Sequence, residues 1–200
     1  DNYDQNLALA NAAAQAPALL HVHEDWMRTL ERRGILHREL EALPSRREVA
    51  ARIERREGLT VPELSVLLAY TKIVLAEDLL DSELADDPFL RGDLFGYFPS
   101  TMRQDYRPQM EQHQLRREII VTQVVNRLIN NAGMTYWHRL SGETAAPASE
   151  LTRANFLAAE IFGAAGIRQR IGELDNQVDA AVQTRMRLEV RTLVERTSRW

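Results

Sequence analysis

The chain has 200 residues, 44% of them hydrophobic and 27% charged, a composition that suits a folded protein with one large core or two small ones and argues against disorder. Its zero cysteines exclude disulfides, thiolate metal ligands and thiol nucleophiles. The net charge of −4 is spread without a long basic or acidic block, against a nucleic-acid surface, and the apolar runs fall far short of the roughly 20 residues that span a bilayer.

Apolar residues recur at helical spacing almost throughout, and no stretch alternates with period two, so the expectation is an all-α protein, an irregular multi-helix bundle. A first helix is expected over about Asn2 to Gln15, and a second from Pro17, whose fixed φ suits a first turn, to Arg33 before Gly34, burying Trp26, Met27 and Leu30. Ser45 with Glu48 makes a capping box for a short, charged, peripheral helix that ends before Gly58. Thr60 with Glu63 makes another, with Pro62 in the first turn. It opens a central apolar helix at about 61–80 carrying Leu64, Leu67, Leu68, Tyr70, Ile73, Val74, Leu75 and Leu79.

Asp86, Asp87 and Pro88 start a short helix to about Phe98, and Pro99 and Pro108 punctuate two further short pieces. A second strong helix runs from about Gln109 to Ala132, its packed part at about 113–132, with Leu115, Ile119, Ile120, Val124, Leu128 and Ile129 on one face and Gly133 as terminator. A turn of helix through Tyr136, Trp137 and Leu140 follows. Gly142 to Pro147 is the best linker, and Ser149 is placed to cap a helix to about Phe162. Beyond the Gly163 to Gly166 break, Val178, Val182, Met186, Val190, Leu193 and Val194 form the stripe of a long C-terminal amphipathic helix.

Few side chains suggest chemistry. His21 and His23 stand two apart, about 200° around a helix, so both rings cannot easily reach one ion, and His37, His113 and His138 are scattered without an acidic partner at a suggestive spacing. Asp81, Glu83, Asp86 and Asp87 lack the glycine and terminal glutamate of a calcium loop and read as a solvated connection with a helix cap. The glycines are isolated at helix ends, not gathered in the G-x-G-x-x-G turn of a dinucleotide site. Lys72, the one lysine among 25 basic residues, reads as a snorkelling side chain whose stem lies in an apolar helix. Arg116, Arg117, Asn126 and Asn130 are unusual on an otherwise apolar helix; the two amides share a face, and buried amides must find hydrogen bonds, so these four are the candidate structural or interface residues.

Several blocks together resemble the C-terminal part of the large bacterial NAD-dependent glutamate dehydrogenases. They are Asp1-Asn-Tyr-Asp-Gln5 with Ala8-Leu9, the run from Gly58 through Pro62-Glu-Leu64 to Lys72, Asp86-Asp-Pro88 with Tyr97-Phe-Pro99, His113 to Ile120, Asn126 to Gly133, and Leu174-Asp-Asn176 with Gln183 and Trp200. Val61, Ser65 and Asn131 depart from the pattern. The resemblance implies a parent enzyme that deaminates L-glutamate to 2-oxoglutarate and ammonium while reducing NAD⁺, with its substrate and NAD motifs upstream. It carries over no catalytic, cofactor-binding or metal residue to this segment, and Lys72 does not correspond to the catalytic lysine.

The expected organisation is residues 1–33 as a helical tail continuous with an upstream catalytic domain and 34–200 as a C-terminal domain, with a sub-boundary near 142–148. The segment is expected to bind no cofactor, NAD belonging to the parent. It should act structurally or between subunits of a cytoplasmic homo-oligomer, a tetramer being favoured, with the upstream catalytic domain as partner and no nucleic acid or membrane involved. The rival reading is a free-standing helical protein-interaction module, since the final helix offers i, i+3, i+4 anchors. An independent helical enzyme ranks last for want of a nucleophile–base pair, metal set or phosphate loop.

Overall fold

The computed structural model describes residues 2–200, with side chains from Asp4 onward, so the opening Asp1 of the resemblance lies outside it. Pro17 does not open a second helix; it sits inside one helix, α1 (Asn2–Arg32). An interior proline removes a hydrogen bond and costs about 3 kcal/mol. The apolar face nevertheless continues through it: Ala8, Ala16, Leu20, Trp26, Met27 and Leu30 are all buried while Pro17 itself faces out. Burial along the whole face outweighs the local break.

The capping signals are met at α2 (Arg46–Glu54), where the Ser45 amide donates to Glu48 Oε2 at 2.7 Å, and at α3 (Val61–Leu80), where the Thr60 amide donates to Glu63 Oε2 at 2.6 Å. Burial pushes the Glu63 carboxyl up, but bonds from Arg52 and Thr60 outweigh it and hold it below the usual range. α2 is less peripheral than its charge suggests, for Val49 is buried. Two 3₁₀ turns, Glu83–Asp86 and Pro88–Leu90, and α4 (Arg91–Tyr97) stand where a single helix is expected to about Phe98, and α5 (Arg107–Glu111) is a short piece at Pro108, as expected. α6 (Arg116–Ala132) starts later than Gln109 because residues 112–115 form a turn, which leaves Leu115 at the helix entrance and exposed. Ile73 also faces out, on the flank of α3 opposite Leu67, Val74 and Leu75.

α7 (Tyr136–Thr144) runs through Gly142, and the left-handed Ala145 turns the chain into α8 (Ala148–Ile161), capped at Pro147 and not at Ser149. Gly163, at φ 57°, leads to α9 (Ala164–Gly172), and Asn176, at φ 64°, precedes α10 (Ala180–Thr197). On α10 Val190 and Val194 are buried, whereas Met186 and Leu193 from the expected stripe are partly exposed.

α3 and α6 pack on each other at the centre, with α1, α4 and α8 around them. One apolar core joins Ala16 on α1 to Phe156 on α8, and a second cluster joins Ala158, Ala164, Ile171, Val190 and Val194 of α8, α9 and α10. Polar bonds fix the relation of the helices. Trp26 Nε1 donates to Thr71 Oγ1 at 2.8 Å, with the Trp137 ring edge-on at 5.2 Å, and the Tyr136 hydroxyl lies 3.0 Å from both the Leu151 carbonyl oxygen and Ser198 Oγ. These join α1 to α3, and α7 to α8 and the C-terminal end of α10. No helix among the described residues is long and apolar enough to cross a membrane.

Candidate functional site

The four singled-out residues of α6 fall into two groups, one at each end of the helix. Arg116 Nη2 lies 2.9 Å from Asp86 Oδ1, and Arg117 holds the other oxygen of the same carboxylate. Arg117 Nη2 also donates to the Leu80 carbonyl at 2.8 Å and the Ser82 carbonyl at 3.1 Å. The Leu80 carbonyl is an acceptor that a helix leaves open at its end and Ser82 lies just beyond, so Arg117 fastens the start of α6 to the end of α3 and the turn after it. Asp87 caps the Phe89 amide at 3.0 Å and takes Arg153 Nε at 3.0 Å. The acidic connection is thus partly a set of interhelix ties and not only a solvated loop.

Towards the other end of α6, Asn126 Oδ1 accepts from Lys72 Nζ at 2.8 Å. Lys72 does not simply snorkel: its half-buried ammonium ends on that amide, and burial lowers its pKa. Asn130 stands one turn on, its side-chain oxygen buried without a hydrogen-bond partner. Both amides face a cleft of about 550 Å³ between α1, α4, α6, α9 and α10.

Polar side chains dominate this cleft. α1 contributes Asp4 and Asn11, whose Oδ1 is also buried and unpartnered; α6 contributes Gln123, Asn126, Arg127, Asn130 and Asn131. Arg127 lies on Asp93 at 3.1 Å and over the Phe156 ring at 3.8 Å, and burial raises the Asp93 carboxyl while Arg127 partly offsets it. Arg168 from α9 and Arg187 and Arg191 from α10 complete the wall. None of the three has a carboxylate within salt-bridge distance among the described residues. Arg187 donates to Gln183 Oε1 at 3.2 Å and Arg191 to Gln15 Oε1 at 2.9 Å. Burial pulls Arg191 down to about 10 and lowers Arg168. Gly133, at φ 86°, lets this packing happen: a Cβ there would stand 2.5 Å from the Arg191 guanidinium.

Sequence reading missed Arg168, Arg187, Arg191 and Asn11, because a charged position on an amphipathic helix reads as solvent-facing. The available signal was polar residues four apart, Asn126 with Asn130 and Arg187 with Arg191, on helices that also carry core positions. The histidines also depart from expectation. His138 Nε2 lies 2.9 Å from Asp25 Oδ2, a partner 113 residues away, and its ring lies tilted by 36° against Trp26 with centroids 4.7 Å apart. His113 Nδ1 accepts the Leu115 amide at 3.1 Å. His23 is buried; burial first, then His21 and Arg191, lower its pKa to about 4.

Among the described residues no three His, Asp or Glu side chains are gathered so as to hold a metal. An NAD site needs a strand, a glycine-rich turn and a helix N-terminus aimed at the pyrophosphate. The described residues include no strand, and the positive-φ glycines, Gly34, Gly133 and Gly163, each stand alone after a helix end. The described residues do not form that arrangement.

The NAD-specific glutamate dehydrogenase of Halomonas elongata is 37% identical to the chain over 200 residues, and those of Mycobacterium tuberculosis and Pseudomonas aeruginosa are each 38% identical over the same length. Each match covers 100% of this chain but 12% of the relative, so the chain spans about an eighth of those proteins. The family described as the C-terminal region of glutamate dehydrogenase matches residues 56–200, a span that takes in α3 to α10 and both central helices, and the chain belongs to that family.

Proposed function

We propose that the chain is the C-terminal helical part of a longer NAD-dependent glutamate dehydrogenase, in which residues 1–200 supply packing and subunit contacts and no reacting group. The observation that carries this reading is the match over the whole chain to proteins about eight times its length that are named for that activity. In the parent, L-glutamate and NAD⁺ would meet upstream, giving 2-oxoglutarate, ammonium and NADH. The side chains best placed for chemistry support the same reading, because Arg117 and Lys72 are engaged in ties between α3 and α6. The partners proposed are the upstream catalytic domain and further copies of the chain, in a cytoplasmic tetramer. An apolar strip of Leu157, Ile161 and Phe162 at the end of α8 is exposed and available for such contacts. The strip equally suits a free-standing interaction module, and a native mass near the 22.9 kDa of this chain would favour that alternative.

Substitutions in the full-length polypeptide test the absence of chemistry here. Arg117→Ala and Lys72→Met are each expected to leave kcat and both KM values within about twofold, while lowering stability by about 1–2 kcal/mol through lost interhelix hydrogen bonds. A fall of about 100-fold or more in kcat at unchanged melting temperature would place a catalytic group in this segment and overturn the proposal.

A further inference from the structure

We infer that the cleft between α1, α6, α9 and α10 is a binding site for a carboxylate that also bears an O–H or N–H donor, held by Arg168, Arg187 and Arg191 with Asn11 and Asn130. Among the described residues no carboxylate lies within salt-bridge distance of the three guanidinium groups on this wall, and the more distant Glu195 only partly offsets the burial of Arg191. Arg127 is already committed to Asp93 and Phe156, so among the described lining residues Asp4 is the carboxylate left to balance them. Arginine presents a planar fork that matches a carboxylate with two parallel hydrogen bonds, and its charge is poorly tolerated away from water without an anion. On α1 and α6, Asn11 Oδ1 and Asn130 Oδ1 are acceptors without a donor, shielded from water until their side chains turn towards the cleft. A hydroxy- or amino-carboxylic acid answers both walls at once, and about 550 Å³ is within the usual range for a small-molecule site.

The carboxylate can be a free metabolite or an acidic side chain from elsewhere in the longer polypeptide, and location-resolved hydrogen exchange separates the two. This inference does not depend on the enzyme reading. L-malate is the probe, with sodium chloride of equal ionic strength as the control, applied to the 200-residue chain and to the full-length polypeptide. Amides of α9 (164–172) and α10 (180–197) are expected to exchange about tenfold more slowly at malate about nine times its dissociation constant, and less so with succinate, which lacks the donor. The effect should vanish in the double variant Arg168→Gln and Arg187→Gln, and in Asn130→Asp, which places a like charge in the cleft with little change in volume. Protection in both proteins identifies a free ligand; protection in the short chain alone identifies a side chain of the polypeptide itself as the occupant. No slowing in the short chain, equal slowing by inorganic phosphate, or slowing that survives both variants would overturn the inference.

Discussion

Lowering the pH from about 6.5 to about 4 is expected to remove about 3 kcal/mol of folding stability through one side chain, His23. The ring is 1% exposed, and burial, with His21 and Arg191 nearby, brings its pKa from 6.5 to about 4. In the folded chain it stays mostly neutral until the pH nears 4, while in the unfolded chain it takes up a proton around 6.5. The unfolded state therefore binds more protons as the pH falls, so the contribution is complete above pH 6.5 and is lost progressively towards pH 4. Asp78 and Asp93 work in the opposite sense near the acid end, since burial raises their carboxyls and lets the folded state protonate first. Comparing the chain with His23→Gln cancels those groups. Urea melts across the window should show the stability difference between the two changing by about 3 kcal/mol; parallel pH profiles would mean that His23 is not held neutral.

Gly58→Ala is expected to cost about 3 kcal/mol, near the upper end of what one added methyl causes. Gly58 lies in the connection before α3, and a Cβ there would stand 2.5 Å from both the backbone carbon and the Cβ of Ala16 and 2.7 Å from the Pro17 nitrogen. These are atoms of the α1 backbone and its first side-chain carbon, which cannot swing aside, so α1 and the α2–α3 connection must separate. The same contact covers the turn of α1 that Pro17 weakens. Gly92→Ala is the control: it lies inside α4 with nothing within 4 Å of a Cβ, and alanine's better helix propensity should leave stability unchanged or raised by up to about 1 kcal/mol. Thermal melts that place the two variants together would mean that the approach of Gly58 to Ala16 and Pro17 is not as close as 2.5–2.7 Å.

The helices themselves were legible because their signals are local. Ser45 with Glu48, Thr60 with Glu63, and the apolar spacing of Leu64 to Leu79 and Ile119 to Ile129 each fix a boundary or a buried face within one or two turns. Pro17 was misread for the same reason: its local preference is for a first turn, and only the packing of Ala16 and Leu20 on other helices carries the helix through it. The cleft was half legible. Asn126 and Asn130 stood out against the apolar face of α6, but their surroundings come from α1, α9 and α10, and Arg191 meets Gln15 across 176 positions of sequence. His138 and Asp25 meet across 113, which no spacing within one helix can reveal.

We propose that these 200 residues complete a larger enzyme without supplying its chemistry. The most direct measurement compares the full-length polypeptide with a version lacking residues 1–200, following native mass and glutamate-dependent NAD⁺ reduction together. Loss of the native assembly with a matching loss of turnover, both restored when the missing segment is supplied in trans, is the predicted result. A truncated protein that assembles and turns over like the intact one would overturn the proposal.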